Sequence, residues 1–238
     1  MENRQRRLAL VTGASSGLGA AIARQLAAAE IPVILTGRNQ SRLAEVAGEI
    51  EACGQVCWHC PADITRQTEL LQLQEFIRPI GTVSLLINNA GSGRFETIEN
   101  TSDELWEKTL AVNMTGAFKL SRLFIPGMKE RGQGTVVYIN SVAGQQAYSH
   151  SSAYCAAKFG LRGLADSLRR EVSQDNIKII SIFPGAFDSP FWDHVSGDFP
   201  RAEMLSTDEV AATVVHAVTQ PGTATLEDVV IRRTKGDL

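Results

Sequence analysis

Short, continuously apolar runs alternate with longer amphipathic stretches along this chain, and that alternation limits its fold more than any other feature. The runs are LALVT (8–12), VILTG (33–37), VCWHC (56–60), SLLIN (84–88), TVVYIN (135–140), KIISIF (178–183) and EDVVIRR (227–233). A strand with one wet face would alternate apolar with polar residues; these read as strands buried on both faces. Residues 19–29 are alanine-rich, and 41–52 carry leucine and valine at helical spacing. Thr101-Ser102-Asp103-Glu104 and Ser206-Thr207-Asp208-Glu209 fit the capping box that opens a helix. The helix opened by the first is expected to kink or end near Pro126, which has no N–H to donate. After Tyr154, Ala157, Leu161, Leu164 and Leu168 share one helical face. The pattern implies an α/β fold: a doubly wound parallel sheet of about seven strands, helices on both faces and right-handed crossovers. A chain of 238 residues with no repeat or linker suits a single domain over 1–238.

Composition removes several partners. A net charge of −3 gives no reason to expect nucleic acid or anionic lipid. The N-terminal MENRQRR is basic, but the apolar run after it is too short for a signal peptide. No window approaches the roughly 18 apolar residues of a membrane span, so a cytoplasmic protein is expected. Cys53, Cys57 and Cys60 surround His59, yet Cys57 and Cys60 would point to opposite faces of a strand. Small buried thiols are expected there and no metal.

The first strand runs directly into Thr12-Gly13-Ala14-Ser15-Ser16-Gly17-Leu18-Gly19, and a helix follows. Glycines at this point let the backbone turn sharply and approach a pyrophosphate, while the helix N-terminus offers free N–H groups and a positive dipole end. No lysine followed by serine or threonine comes after the last glycine, so this is not a P-loop. At the end of strand two an acid would suit the ribose of NAD. The chain has Thr36-Gly37-Arg38-Asn39 instead. Arg38 could pair with a 2′-phosphate through its planar fork of donors, so NADP(H) is the expected cofactor.

These features, with several further motifs in order, resemble the short-chain dehydrogenases/reductases over nearly the whole chain, a family with the Rossmann fold. Residues 12–19 match the family's TGxxxGxG turn, Asn88-Asn89-Ala90-Gly91 its NNAG segment, and Tyr154-Cys155-Ala156-Ala157-Lys158 its YxxxK. Ser141 precedes Tyr154 by 13 residues, the family's spacing, and Asn113 in LAVNMTG matches the helix asparagine. The resemblance implies a catalytic tetrad of Asn113, Ser141, Tyr154 and Lys158. It implies cofactor contacts from Gly13, Ser15, Ser16, Gly17, Leu18, Gly19, Arg38, Asp63, Ile64, Asn89, Ala90, Gly91, Tyr154, Lys158, Pro184, Gly185, Phe187 and Ser189. Asp63 would meet the adenine, and Ser189 stands where the family commonly has a threonine near the nicotinamide amide. Asn140 departs from a frequent serine, and Phe187 from a smaller β-branched residue.

The family resemblance implies that Tyr154 gives a proton to a carbonyl oxygen held by Ser141 while the cofactor delivers hydride to the carbon. A free phenol has a pKa near 10, and a neighbouring ammonium favours the phenolate. Lys158 would also grip the nicotinamide ribose, and Asn113 would anchor a water relay. The leading expectation is thus an NADP(H)-dependent oxidoreductase interconverting a carbonyl and an alcohol. The alternatives are an NADPH sensor without turnover, an NAD(H)-preferring relative, and an epimerase working through a transient ketone.

Substrate choice is expected from loops at the carboxyl ends of the strands. Residues 186–205 read as a long loop that could act as a lid. Candidate substrate residues are Ser141, Arg94, Gln145, Tyr148, Phe191 and Trp192, and His194 is a further basic residue there. Leu120, Phe124 and Phe159 extend the apolar surface of two long helices, and the resemblance implies a homodimer or homotetramer.

Overall fold

The structure, a computed structural model, describes residues 7–195 and 199–236, apart from the side chain of His194. The basic residues 1–6 and residues 196–198 of the expected lid lie outside the described residues. Seven strands form one parallel sheet: β1 (Arg7–Thr12), β2 (Val33–Gly37), β3 (Cys57–Pro61), β4 (Thr82–Asn88), β5 (Gly134–Ile139), β6 (Ile177–Pro184) and β7 (Asp228–Ile231). Their order is β3-β2-β1-β4-β5-β6-β7, so the winding reverses between β1 and β4. The strand ends part at that switch point and leave a crevice.

The continuous apolar runs are explained by helices on both faces. Ala9 and Val11 of β1 face one layer, with α1 (Gly17–Ala28), α2 (Gln40–Ala52) and α7 (Thr207–Val218) packed on it. Leu8 and Leu10 face the other, covered by α3 (Gln67–Ile77), α5 (Gly116–Arg131) and α6 (Ser152–Glu171). Cys57 joins the first layer and Cys60 packs against the second, as the odd spacing requires. No group of three metal-ligating side chains occurs among the described residues. Cys53 departs from the expected buried thiols: it follows the end of α2 and is exposed.

Other departures have local causes. β7 is an edge strand with Val230 45% exposed, because only β6 pairs with it. The cap of α4 (Asp103–Leu110) is Ser102, whose side chain accepts from Leu105 N; Thr101 lies one residue too early. The Ser206–Glu209 capping box forms as read, with both reciprocal bonds. Leu120 and Phe124 do not extend the outer surface but fill the second core layer, leaving Trp106, Phe118 and Phe159 exposed. No described helix is long and apolar enough to cross a membrane.

The helix after Ser102 is interrupted by a π-turn at Ala111–Thr115, and α5 then passes through Pro126 to Arg131. Pro126 is exposed, so the carbonyl it leaves unpaired, that of exposed Arg122, can turn to water. Substituting Pro126→Ala restores one helical N–H, and part of the gain is offset by a more flexible unfolded chain. We expect the unfolding free energy to rise by about 1–2 kcal/mol at constant m-value in urea; an unchanged or lower value contradicts this account of the helix.

Candidate active site

The crevice begins at the glycine turn. Gly13 and Gly17 hold φ of +64° and +53°, a region that disfavours side chains. At Gly19 a methyl group would lie 2.3 Å from the Gly13 carbonyl oxygen, so the helix can start this close to β1 only without one. Ser16 precedes α1 without a side-chain cap, and the first turn carries no acid. The N–H groups there are therefore free for an anion, and the turn fits a dinucleotide's phosphates. Buried Thr12 fixes the opposite wall: its Oγ1 accepts from the N–H groups of Asn89 and Ala90, each at 3.0 Å. Asn89 Nδ2 donates to the Thr12 carbonyl at 2.8 Å.

Four polar side chains converge past the end of β5. Ser141 opens a single 3₁₀ turn, and its Oγ accepts from Ala143 N at 3.1 Å. The Ser141 hydroxyl lies near that of Tyr154 and favours its ionised form. Lys158, one turn further along α6, is 4% exposed and donates from Nζ to the Ile139 carbonyl at 2.9 Å. That Nζ stands 5.6 Å from the centre of the Tyr154 ring. Asn113 sits in the π-turn, donating from Nδ2 to Ser92 O at 2.7 Å and Thr109 O at 2.9 Å. π-Turns recur at functional sites because they re-aim one side chain out of helical register.

Burial dominates the charge states here. It pushes the Tyr154 phenol up to about 12, against the opposing influence of the Ser141 hydroxyl. It also pulls the Lys158 amine down to about 7. The ammonium was expected to favour the phenolate; in the protein alone desolvation is the larger effect, and both groups are driven toward their neutral forms. A phenol held protonated beside a second hydroxyl can donate a proton to an oxygen placed between them.

The segment after β6 covers this group. Backbone bonds tie its ends together, from Asp188 N to Leu205 O and from Leu205 N to Ala186 O. Arg201 clamps the middle, with Asp188 and Asp193 both at 2.6 Å and the Ser189 carbonyl at 3.0 Å. A short 3₁₀ helix, Pro190–His194, carries Phe191 and Trp192, and the Phe191 ring centre lies 5.8 Å from that of Tyr154. Phe95 lies beside Phe191 and reaches Tyr154 at 5.9 Å. The resulting cleft measures about 1130 Å³ and runs from the glycine turn to these rings.

The sequence profile described as short chain dehydrogenase matches residues 7–198. The chain belongs to the short-chain dehydrogenases. Among curated relatives, the sepiapterin reductase of Chlorobaculum tepidum is 33% identical over 237 residues, covering 96% of this chain and 97% of the relative. The D-beta-hydroxybutyrate dehydrogenase of Rhizobium meliloti is 34% identical over 211 residues, covering 87% of this chain and 81% of the relative. The solved alcohol dehydrogenase of Thermococcus sibiricus, complexed with 5-hydroxy-NADP, superposes with a TM-score of 0.88 at 25% identity. That match covers 96% of this chain and 97% of the other.

As a short-chain dehydrogenase, the protein gathers most of the residues singled out from its sequence along one cleft. Gly13, Ser15, Ser16, Gly17, Leu18, Gly19, Arg38, Asn89, Ala90, Gly91, Asn113, Ser141, Tyr154, Lys158, Pro184, Gly185, Phe187 and Ser189 all line it, as do Tyr148, Phe191 and Trp192. Four others do not. Asp63 accepts from the N–H and hydroxyl of Thr65 at 2.9 and 2.7 Å. Burial opposes its charge, but those bonds and the nearby Arg38 and Arg66 hold the carboxyl below its usual range. Ile64 is buried in the second core layer, against the place where a Gly116 side chain would sit. Arg94 is exposed and paired with Glu96, and Gln145 lies beyond the lining.

Sequence reading passed over Arg42, which joins Arg38 in the cleft lining, and Asn140, which it noted only as a departure. Asn140 accepts from Ser141 N at 2.9 Å and donates to the Lys158 carbonyl at 3.2 Å, bridging the two segments that carry the polar group. Gly144 leaves room for it, since a methyl group there would lie 2.4 Å from Asn140 Oδ1. A buried-capable amide before Ser141 was the available signal.

The lowered Lys158 pKa has a consequence for stability. Between about 7 and the ordinary 10.5 the unfolded chain holds the lysine proton and the native protein does not. This residue's contribution to stability therefore rises with pH across that window, and the full cost of burying its charge is felt below about 7. Urea unfolding of the wild type and Lys158→Met, compared from pH ~7 to ~9.5, is expected to show the difference moving in the wild type's favour as pH rises. A pH-independent difference contradicts the burial of this amine.

Proposed function

We propose that the protein is an NADP(H)-dependent carbonyl reductase that interconverts a carbonyl compound and its alcohol. The observation that carries this reading is the Tyr154–Ser141 hydroxyl pair with the buried Lys158 amine behind it, at the inner end of the glycine-lined cleft. The bound cofactor supplies hydride to the carbonyl carbon. Ser141 holds the carbonyl oxygen, and Tyr154 donates its proton to that oxygen as the C–H bond forms. Lys158, when protonated, stabilises the phenolate that results. Asn113, anchored by three bonds to Ser92 and Thr109, fixes the wall beside Lys158: a methyl group on Gly91 would be 2.9 Å from Asn113 Oδ1 and 4.0 Å from Lys158 Nζ.

The cofactor preference is supported by exposed Arg38 and Arg42 at the adenosine end of the cleft, where no acid follows β2. Two guanidinium groups suit a 2′-phosphate and repel nothing on it. The solved relatives bound to 5-hydroxy-NADP and to NADP point the same way. Residues 186–205 would act as the lid, and exposed Trp106, Phe118 and Phe159 would serve assembly into a homodimer or homotetramer.

Two experiments test the reading. Tyr154→Phe is expected to bind NADPH normally and to lose at least about a hundredfold in the rate of carbonyl reduction, as for loss of a general acid. A near-normal rate removes Tyr154 from the proton step. In fluorescence titration, replacing Arg38 and Arg42 together by alanine is expected to weaken NADPH binding at least about tenfold while leaving NADH unchanged. Equal losses for both cofactors would argue against recognition of the 2′-phosphate.

A further inference from the structure

We infer, resting on the reductase reading above, that the substrate is an uncharged carbonyl compound bearing a flat ring beside its C=O group, and that carbonyl acids and phosphates are excluded. Four rings from three separate segments form one wall: Phe95, Tyr154, Phe191 and Trp192. Phe95 lies 6.2 Å from Phe191 and 6.3 Å from Trp192, and Phe191 lies 5.5 Å from Trp192, all tilted or edge to face. The wall is held in place. The Phe191 ring seats on Gly93, where a methyl group would be only 2.4 Å from its Cζ. The Trp192 indole donates to the Phe187 carbonyl at 2.9 Å. All four rings are only half-buried, so each keeps surface on the cleft. A flat ring packed there carries an attached carbonyl toward the hydroxyls of Tyr154 and Ser141, and aromatic pairs favour such tilted contacts.

Charge selects in the same direction. The cations near the rings are engaged: Arg94 by Glu96, Arg201 by Asp188 and Asp193, and Lys158 by the Ile139 carbonyl. His150 lines the cleft at its outer part, beyond the rings, and helps to lower the Glu99 carboxyl. Arg38 and Arg42 lie at the opposite end, beside the glycine turn. An anionic substrate would lose hydration here and find both nearby arginines already paired with carboxylates.

Steady-state reduction with NADPH by the whole protein tests both halves. Methyl phenylglyoxylate should exceed methyl pyruvate in kcat/KM at least about tenfold, although conjugation with its ring makes its ketone the less electrophilic. Methyl 4-acetylbenzoate should exceed 4-acetylbenzoate by a similar factor of about ten, the charge being remote from the reacting carbon. Phe191→Leu should lower the first ratio at least about threefold. Equal or reversed ratios overturn the inference. So does failure to reduce any of the four by an enzyme that reduces other carbonyl compounds, which leaves the reductase reading standing. If no carbonyl compound of any kind is reduced, both fall.

Discussion

The Lys158 amine lies at the foot of β5, bonded to the Ile139 carbonyl and shut off from water, and most of the site is arranged around keeping it there. A buried ammonium is costly, and the protein meets the cost by letting the amine lose its proton near neutral pH. Desolvation also holds the Tyr154 phenol protonated, although part of its ring faces the cleft. One turn of helix puts these two groups on a common face, and the 3₁₀ turn after β5 brings Ser141 to the phenol. Asn140 ties the two segments through backbone atoms on each. Desolvation thus governs both the protonation of the phenol and the charge of the amine in the protein alone.

The crevice itself follows from the sheet. Reversal of the winding between β1 and β4 separates the loops at that point, and the glycine turn fills the gap with backbone N–H groups in place of side chains. Thr12 then spends its buried hydroxyl on two N–H groups beyond β4, so the two walls are referenced to each other. The segment after β6 adds an aromatic face, pinned by Arg201 and by the Trp192 indole.

Much of this was legible in the sequence because burial on both faces leaves a strong signature. Runs such as VILTG and KIISIF can be little else, and Gly13, Gly17 and Gly19 mark backbone that a side chain would obstruct. What escaped depends on geometry that hydropathy does not encode. The π-turn around Asn113 is one residue of register within a helix, and Ser102 displaced Thr101 as cap by the same small shift. Pro126 was read as a break, but its exposed position lets water replace the missing bond. Leu120 and Phe124 looked like surface for a partner because the second core layer that receives them is assembled from distant segments. Asn140 carries no motif of its own and gains meaning only when α6 returns beside β5.

The most direct test of the central claim is a titration of Lys158 itself. The protein would be labelled with ¹³C at the lysine side chains, and the signal assigned by its absence from Lys158→Met. The account predicts that this one resonance titrates near 7 in the free protein, well below the ordinary lysine value of 10.5. A Lys158 resonance that titrates at the ordinary 10.5 would mean that the amine is hydrated, and the desolvation of this site would be contradicted.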